Sequence, residues 1–242
     1  MADDSGINLQ GFAQRFAAVR GRLAAAAARS GRAPDGVTLV GASKQVDAGR
    51  LREAAAHGLA HFGENRVQEA RGKLDALADL RGGLTWHLIG HLQSNKAKAA
   101  AALFDWVQSV DSPELARELD RRAGEAGRRL RVLVEVNTSG EASKFGVAPE
   151  RALETLGALA GLAQLEPRGF MTVGPLTADA GRVRAAYAGL AERLRAAQRA
   201  FPDWRLDQLS MGMSGDFELA VEAGATMVRV GTALFGTRPP AR

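Results

Sequence analysis

Three groups of residues could do chemistry together. The first is Lys44, which directly follows the apolar run VTLVGAS. The others are two glycine turns near the end of the chain, Met211-Gly212-Met213-Ser214-Gly215 and Val230-Gly231-Thr232. Each turn follows a strand-like apolar run, Leu206 to Leu209 and Met227 to Val230, and between them lies a short amphipathic segment, Asp216 to Ala223. A glycine turn that leaves a strand and enters a helix aims several backbone N–H groups at one spot, where the helix dipole also favours an anion. Ser214 and Thr232 add hydroxyl donors there. Lysine is the other half of the argument. An ammonium at the mouth of a dry strand bundle is partly desolvated, which favours the neutral, nucleophilic amine. Such an amine condenses with carbonyls. Taken singly, each feature has a plain structural alternative: turns that bind nothing, and an exposed loop lysine.

The elements that must position these groups alternate along the chain. Leu9, Phe12, Phe16, Val19 and Leu23 recur at steps of three and four, which predicts an amphipathic helix running to a glycine stop at Gly31. After Pro34 come eight short apolar runs, near 37–42, 61–63, 85–90, 106–109, 131–136, 165–171, 206–209 and 227–230. Between them lie helical stretches near 47–57, 67–80, from Ser94 to 103, after Ser112-Pro113, from about Pro149, and 179–200. Strands that are apolar throughout predict a parallel sheet covered on both faces. Eight such units in 242 residues fit a closed (β/α)8 barrel with an extra N-terminal helix, an open doubly wound sheet being second choice. No composition break marks a second domain, so residues 1–242 read as one barrel domain with loose tails at 1–8 and 237–242.

Polar residues cluster where the predicted strands end, which is where such barrels build their sites. These are Ser43-Lys44, Glu64-Asn65, His91 with Gln93 to Lys96, Asn137-Thr138-Ser139, Met171-Thr172-Val173-Gly174, and the two glycine turns. The absence of cysteine excludes disulfides, thiolate nucleophiles and Cys-ligated metals, and no metal site is expected. A net charge of +5 is spread over helices among acids, and aromatics make up only 5%, so a nucleic-acid groove is not expected. The start MADDSGIN has no apolar stretch of a signal peptide, and no run approaches a membrane span, so a cytoplasmic protein is expected. A lysine at the mouth of a barrel beside a phosphate site suggests an aldehyde phosphate. Pyridoxal 5′-phosphate (PLP) and the sugar phosphates of Schiff-base aldolases both fit.

The runs LVGASK, HFGENRVQEA, WHLIGHLQSNKAK, VNTSGEASKFGV, GFMTVGP and LSMGMSGDFELAVEAGATMVRVGTALFG together resemble the pyridoxal phosphate homeostasis protein family. Its members are single-domain relatives of the alanine racemase barrel (fold type III of the PLP proteins). The resemblance spans residues 37 to 236 and implies a PLP-binding protein that takes part in vitamin B6 homeostasis without turnover. It further implies that Lys44 carries the cofactor as an internal aldimine, that Ser214, Gly231 and Thr232 hold the phosphate, and that Arg229 faces the pyridine nitrogen. Asn65 is expected beside the ring, with Met211 and Met213 near the phosphate end. His87 and Asn95 belong to the motifs without a clear task, His87 reading as a satisfied core or rim histidine. Lys96 and Lys144 are weaker candidates for second lysines at the mouth. PLP-dependent apo-enzymes are the implied recipients, and a monomer is expected.

Two departures stand out. Gln45-Val46-Asp47 follows the lysine where the family has a proline three residues on, and His91 stands where proline is frequent. The rival from another class is an enzyme of the same fold, such as an amino-acid racemase; a Schiff-base aldolase is a second. Racemases of this fold set a tyrosine opposite the lysine and carry an additional β-domain. The single tyrosine here, Tyr187, lies in a predicted helix far from any strand end, and too little sequence follows Gly236 to form such a domain.

Overall fold

The computed structural model describes residues 11–141 and 143–237. The expected tails therefore lie outside the described residues, apart from Thr237, and so does Leu9. Helix α1 (Phe12–Arg29) precedes β1 (Thr38–Ala42), α2 (Ala48–Ala56), β2 (His61–Glu64), α3 (Val67–Ala76), β3 (Thr85–Leu88) and α4 (Ala97–Leu103). There follow β4 (Trp106–Val110), α5 (Pro113–Glu125), β5 (Leu130–Glu135), α6 (Ala152–Gly157), β6 (Leu165–Met171) and α7 (Ala180–Ala200). β7 (Gln208–Ser210), α8 (Phe217–Glu222), β8 (Met227–Val230) and α9 (Thr232–Phe235) complete the chain. The strands form a closed barrel in sequence order, every neighbouring pair parallel, with β1 closing on β8 from Thr38 opposite Met227 to Gly41 opposite Val230. The barrel, and not the open sheet, is the observed architecture.

Local chemistry accounts for most element boundaries. Ser112 caps α5 by accepting from Leu115 N–H, with Pro113 at the first helical position. Asp179 caps α7 through Gly181 and Arg182, and Asp47 caps α2 through Arg50. Gly31 follows α1 with φ +68°, the left-handed stop that glycine adopts freely. The helix expected over 67–80 ends at Ala76 and tightens into a 3-10 stretch, Ala78–Gly83, as the two glycines approach. Ser94 opens a 3-10 turn, Ser94–Lys96, and makes no side-chain cap. β7 begins two residues later than the apolar run suggests; just before it Asp207 is bound to Arg168 of β6, by its side chain at 2.6 Å and by its N–H to the carbonyl at 3.0 Å.

The main core lies between the barrel and its helices, while Val40, Trp106, Leu133, Met171 and Met227 fill the barrel's interior. Helix α1 buries Phe12, Phe16, Val19 and Leu23 and packs on α8 and α9, the helices behind the two glycine turns. Phe12 stacks on Phe16 at 5.5 Å and meets Phe235 at 5.7 Å. Arg22–Glu218 and Arg29–Glu222 pair across the same contact, but exposed pairs of this kind stabilise by about 0–1 kcal/mol, so the buried aromatic contacts carry it.

Gly169 sets the spacing of β6 and β7. Its φ is +138°, and a Cβ there would stand 2.1 Å from the backbone oxygen of Gln208. Gly169→Ala should cost about 2–4 kcal/mol by urea unfolding, since neither backbone can yield without breaking the ladder. A cost below about 0.5 kcal/mol, the range of a neutral surface change, would contradict this close approach.

Candidate functional site

Lys44 leaves the end of β1 half-buried and lines two adjoining cavities. The smaller, about 370 Å³, sits over the barrel mouth and is lined by Lys44, Asn65, Met213, Ser214, Arg229, Gly231 and Thr232, with Ala42, Ile89, Val173 and Gly215. Apart from Met211, the residues placed around the cofactor from the sequence are therefore brought to one space. The larger, about 680 Å³, opens beside it between the loops after β1, β2 and β3 and includes Arg66, His91 and Lys96. Lys44 makes no hydrogen bond or ion pair among the described residues, so its amine is uncommitted.

One end of the smaller cavity is built from the two glycine turns. Ser214 Oγ accepts from the N–H groups of Gly231 (3.2 Å) and Ala233 (3.3 Å), tying one turn to the other and leaving its own hydrogen to donate. The N–H groups of Gly215 and Thr232 meet no acceptor among the described residues. They are donors set around one space, the chemistry an anion requires. Gly212, at φ +94°, lets the first turn pass α8, since a Cβ would lie 2.5 Å from Ala220 Cβ.

Tyr187 corrects the sequence reading. It does lie in α7, but its hydroxyl donates to Asp216 Oδ2 at 2.8 Å, and Gly174 beyond β6 fits only because it has no side chain there. The helix leans its middle over the ends of β6 and β7. Asp216 in turn accepts from Met213 N–H at 2.6 Å, so the buried tyrosine braces the first turn. Burial and the Asp216 carboxylate both hold the phenol protonated. Met211 is also corrected: it points into the core behind the turn, and only Met213 reaches the cavity.

Arg229 forms part of the floor and is 4% exposed. It donates to Ser210 Oγ and to the Thr172 carbonyl, each at 2.7 Å. Because arginine has only donors, the polarity of everything behind it follows. Ser210 must give its hydrogen to Gln108 Oε1 (2.6 Å), and Gln108 Nε2 donates to His87 Nδ1 (2.9 Å). His87 then carries its proton on Nε2 and donates to His61 Nδ1 at 3.0 Å. Burial lowers the pKa of both histidines, His87 well below its ordinary value, which keeps the chain neutral behind one cation. His87 is thus a satisfied core histidine. Burial also lowers the pKa of Arg229, against the pull of Tyr187, Glu135 and Asp216.

Asn65 borders both cavities, and Gly90 allows it: a Cβ at Gly90 would lie 2.5 Å from the Asn65 carbonyl oxygen. Asn95 is exposed and lines neither cavity. Lys96 borders the larger one. Lys144 is committed elsewhere, to Glu141 at 2.8 Å and the Gly174 carbonyl at 3.1 Å. His91 stacks on Phe145 with centroids 3.8 Å apart, a pairing over the larger cavity that no spacing in the sequence announces.

A parallel barrel with a lysine at the end of β1, an anion cradle after β7 and β8 and a buried arginine on β8 defines the class. The alanine racemase N-terminal domain family matches residues 15–239, and the chain belongs to it. The relatives narrow this further. The pyridoxal phosphate homeostasis protein of Pseudomonas aeruginosa is 45% identical over 227 residues, 94% of this chain and 96% of that one. That of Escherichia coli K12 is 40% identical over 236 residues, 94% and 97% of the two chains. The chain is a member of the pyridoxal phosphate homeostasis protein family. Among solved structures, PipY of Synechococcus elongatus PCC7942 without PLP is 44% identical with a TM-score of 0.85, covering 93% of this chain and 100% of that one. Its PLP-bound form is 43% identical with a TM-score of 0.82 over the same shares. Alanine racemase of Clostridium difficile 630, at 15% identity and a TM-score of 0.68 over 57% of that chain, shares the fold.

Glu135 was not anticipated. It follows Leu133 on the inward face of β5, is 5% exposed, and its Oε2 has no partner. Burial pushes its pKa up from the ordinary 4.5 to about 7, against the pull of Arg229 and helped by Asp111. The native state therefore keeps a proton that the unfolded chain releases near 4.5, so this group's contribution to stability falls as pH rises from about 4.5 to 7. Glu135→Gln removes that dependence. Relative to wild type it should be stabilising by about 3 kcal/mol at pH 8 and near neutral at pH 4.5, measured by urea unfolding across the range. A difference that does not vary with pH would contradict the buried, unpartnered carboxyl.

Proposed function

We propose that this chain holds pyridoxal 5′-phosphate at the barrel mouth as part of PLP homeostasis in the cytoplasm and does not turn over amino acids. The observation that carries the reading is the single 370 Å³ cavity lined at once by Lys44, Arg229, Ser214, Gly231 and Thr232. When bound, the cofactor supplies an aldehyde for a lysine amine, a ring that draws electrons from the amino acid's α-carbon, and a phosphate. The residues present fit each part. Lys44 offers the uncommitted amine. The Ser214 hydroxyl and the free N–H groups of Gly215 and Thr232 offer donors to the phosphate, and Arg229 offers a fixed cation to the ring nitrogen. Asn65 and Met213 fill the remaining wall. The names of the relatives, and the PLP in the bound form of PipY, support the same reading.

Two features support holding over catalysis. A guanidinium placed at the ring nitrogen disfavours a second positive charge there, and that charge is what makes the ring a strong electron sink. The tyrosine that racemases of this fold set opposite the lysine has no counterpart free to act. Tyr187 is committed to Asp216 and kept protonated. A monomer is the proposed state. No described helix is long and apolar enough to cross a membrane. PLP-dependent apo-enzymes are the proposed recipients, and nucleic acid has no part in the reading.

After loading with PLP and borohydride reduction, peptide mapping should place the covalent adduct on Lys44, and Lys44→Ala should lose it while keeping its far-UV circular dichroism. An adduct on Lys96 or Lys144 in the wild type would overturn the assignment.

A further inference from the structure

The peptide groups on both sides of Lys44 are tied to one buried ammonium, that of Lys73 in α3. Lys73 Nζ donates to the Ser43 carbonyl, to Glu64 Oε1 and to Glu69 Oε1, each at 2.7 Å, which uses all three of its hydrogens. Ser43 precedes Lys44, and its hydroxyl also reaches Glu64 Oε1 at 2.5 Å. On the other side, Gln45 N–H donates to Glu69 Oε1 at 2.5 Å. Glu69 and Lys73 stand four residues apart on one face of α3, so a single helix turn grips the backbone before and after the reactive lysine.

Gln45 is the one non-glycine residue with positive φ among the described residues, at +60°. A side chain in that region persists where its surroundings over-determine it. Here the determinant is Glu69, held in place by Lys73. The arrangement stands at the start of the Gln45-Val46-Asp47 loop. Lys73 is 7% exposed and Glu64 fully buried, so the Lys73–Glu64 end of the clamp is shielded from water, while Glu69 and Gln45 meet solvent. Neither Lys73 nor Glu69 lines the cavities, and neither touches the Lys44 side chain. They act on the backbone that launches it.

We propose that Lys73 and Glu69 are positioning residues for Lys44: they hold the Ser43–Gln45 turn in its left-handed form, which aims the Lys44 amine over the cavity floor. The proposal rests on Lys44 being the amine that takes the aldehyde, and it adds what sets that amine's direction. A lysine freed from this turn would have several rotamers open to it, and its encounter with an aldehyde held at the phosphate cradle would lose its orientation.

The test is the rate of borohydride-trapped labelling of Lys44 by PLP, resolved peptide by peptide, in wild type, Lys73→Met, Glu69→Ala and Glu69→Ala combined with Gln45→Gly, each with its melting temperature. Labelling of Lys44 should fall about tenfold or more in Lys73→Met and Glu69→Ala. The double variant should recover most of the rate, because glycine adopts the turn unaided, while its melting temperature stays at that of Glu69→Ala. A purely structural role would move rate and melting temperature together. Glu69 is half-exposed, so its variant keeps the test open should Lys73→Met fail to fold. Unchanged Lys44 labelling in a folded variant, or a fall that Gln45→Gly does not repair, would overturn the proposal. Wild-type labelling at another lysine would instead overturn the assignment on which it rests.

Discussion

A guanidinium inside a closed barrel is the constraint on which this structure turns. Arg229 is only 4% exposed, and a buried cation with unmet hydrogens costs several kcal/mol. The barrel meets the cost by giving it Ser210 and Thr172 directly. Behind Ser210, Gln108, His87 and His61 run in one hydrogen-bonded line across β7, β4, β3 and β2. The direction of every bond in that line is set by a residue that can only donate. Strand register, the neutrality of two histidines and the rotamer of a glutamine are thereby linked to one charge. Glu135, a carboxyl kept near neutrality on the same inward face, is the other side of the same electrostatics.

Around that fixed cation the mouth is divided into two halves, each braced from behind. The turns after β7 and β8 are joined through Ser214 and held by Asp216 and Tyr187, with α1 packed on the helices that follow them. The turn after β1 is held by α3 through Lys73 and Glu69. In the proposed function one half offers donors to a phosphate and the other an amine to an aldehyde. Such a site is suited to keeping its ligand in one pose.

The sequence made the barrel legible because parallel strands covered on both faces are apolar along their whole length, and these runs sit between helices with ordinary caps. The site was legible wherever a residue type is demanded by the chemistry: a lysine at a strand end, small residues in an anion turn, an arginine in the MVRVG strand. Lys44, Asn65, Met213, Ser214, Arg229, Gly231 and Thr232 line one cavity, and Met211 does not. What escaped were contacts made by the middles of helices and the inward faces of strands. Tyr187 is invisible as a brace because helical periodicity says which face is apolar, not which strand end it leans over. Lys73 reads as a surface lysine until the fold supplies Glu64 and the Ser43 carbonyl. Gln108 and Glu135 are polar residues in largely apolar strands, and nothing in their spacing tells a hydrogen-bonded group from an unpartnered one. Met211 and Met213 differ in orientation only because they are two apart in a turn whose path the sequence does not define.

The central claim is that a fixed cation at the ring nitrogen, with no free tyrosine opposite Lys44, makes this a holder of its cofactor and not a catalyst. The most direct measurement is deuterium exchange at the α-carbon of L- and D-alanine in heavy water, followed by proton NMR with purified, PLP-loaded protein. General acid–base catalysis by a second group is commonly worth about 10²–10⁴-fold, and its loss beside a weak electron sink predicts exchange far slower than about once per second for either enantiomer. Exchange approaching that rate and abolished by Lys44→Ala would contradict the claim and make the protein an enzyme.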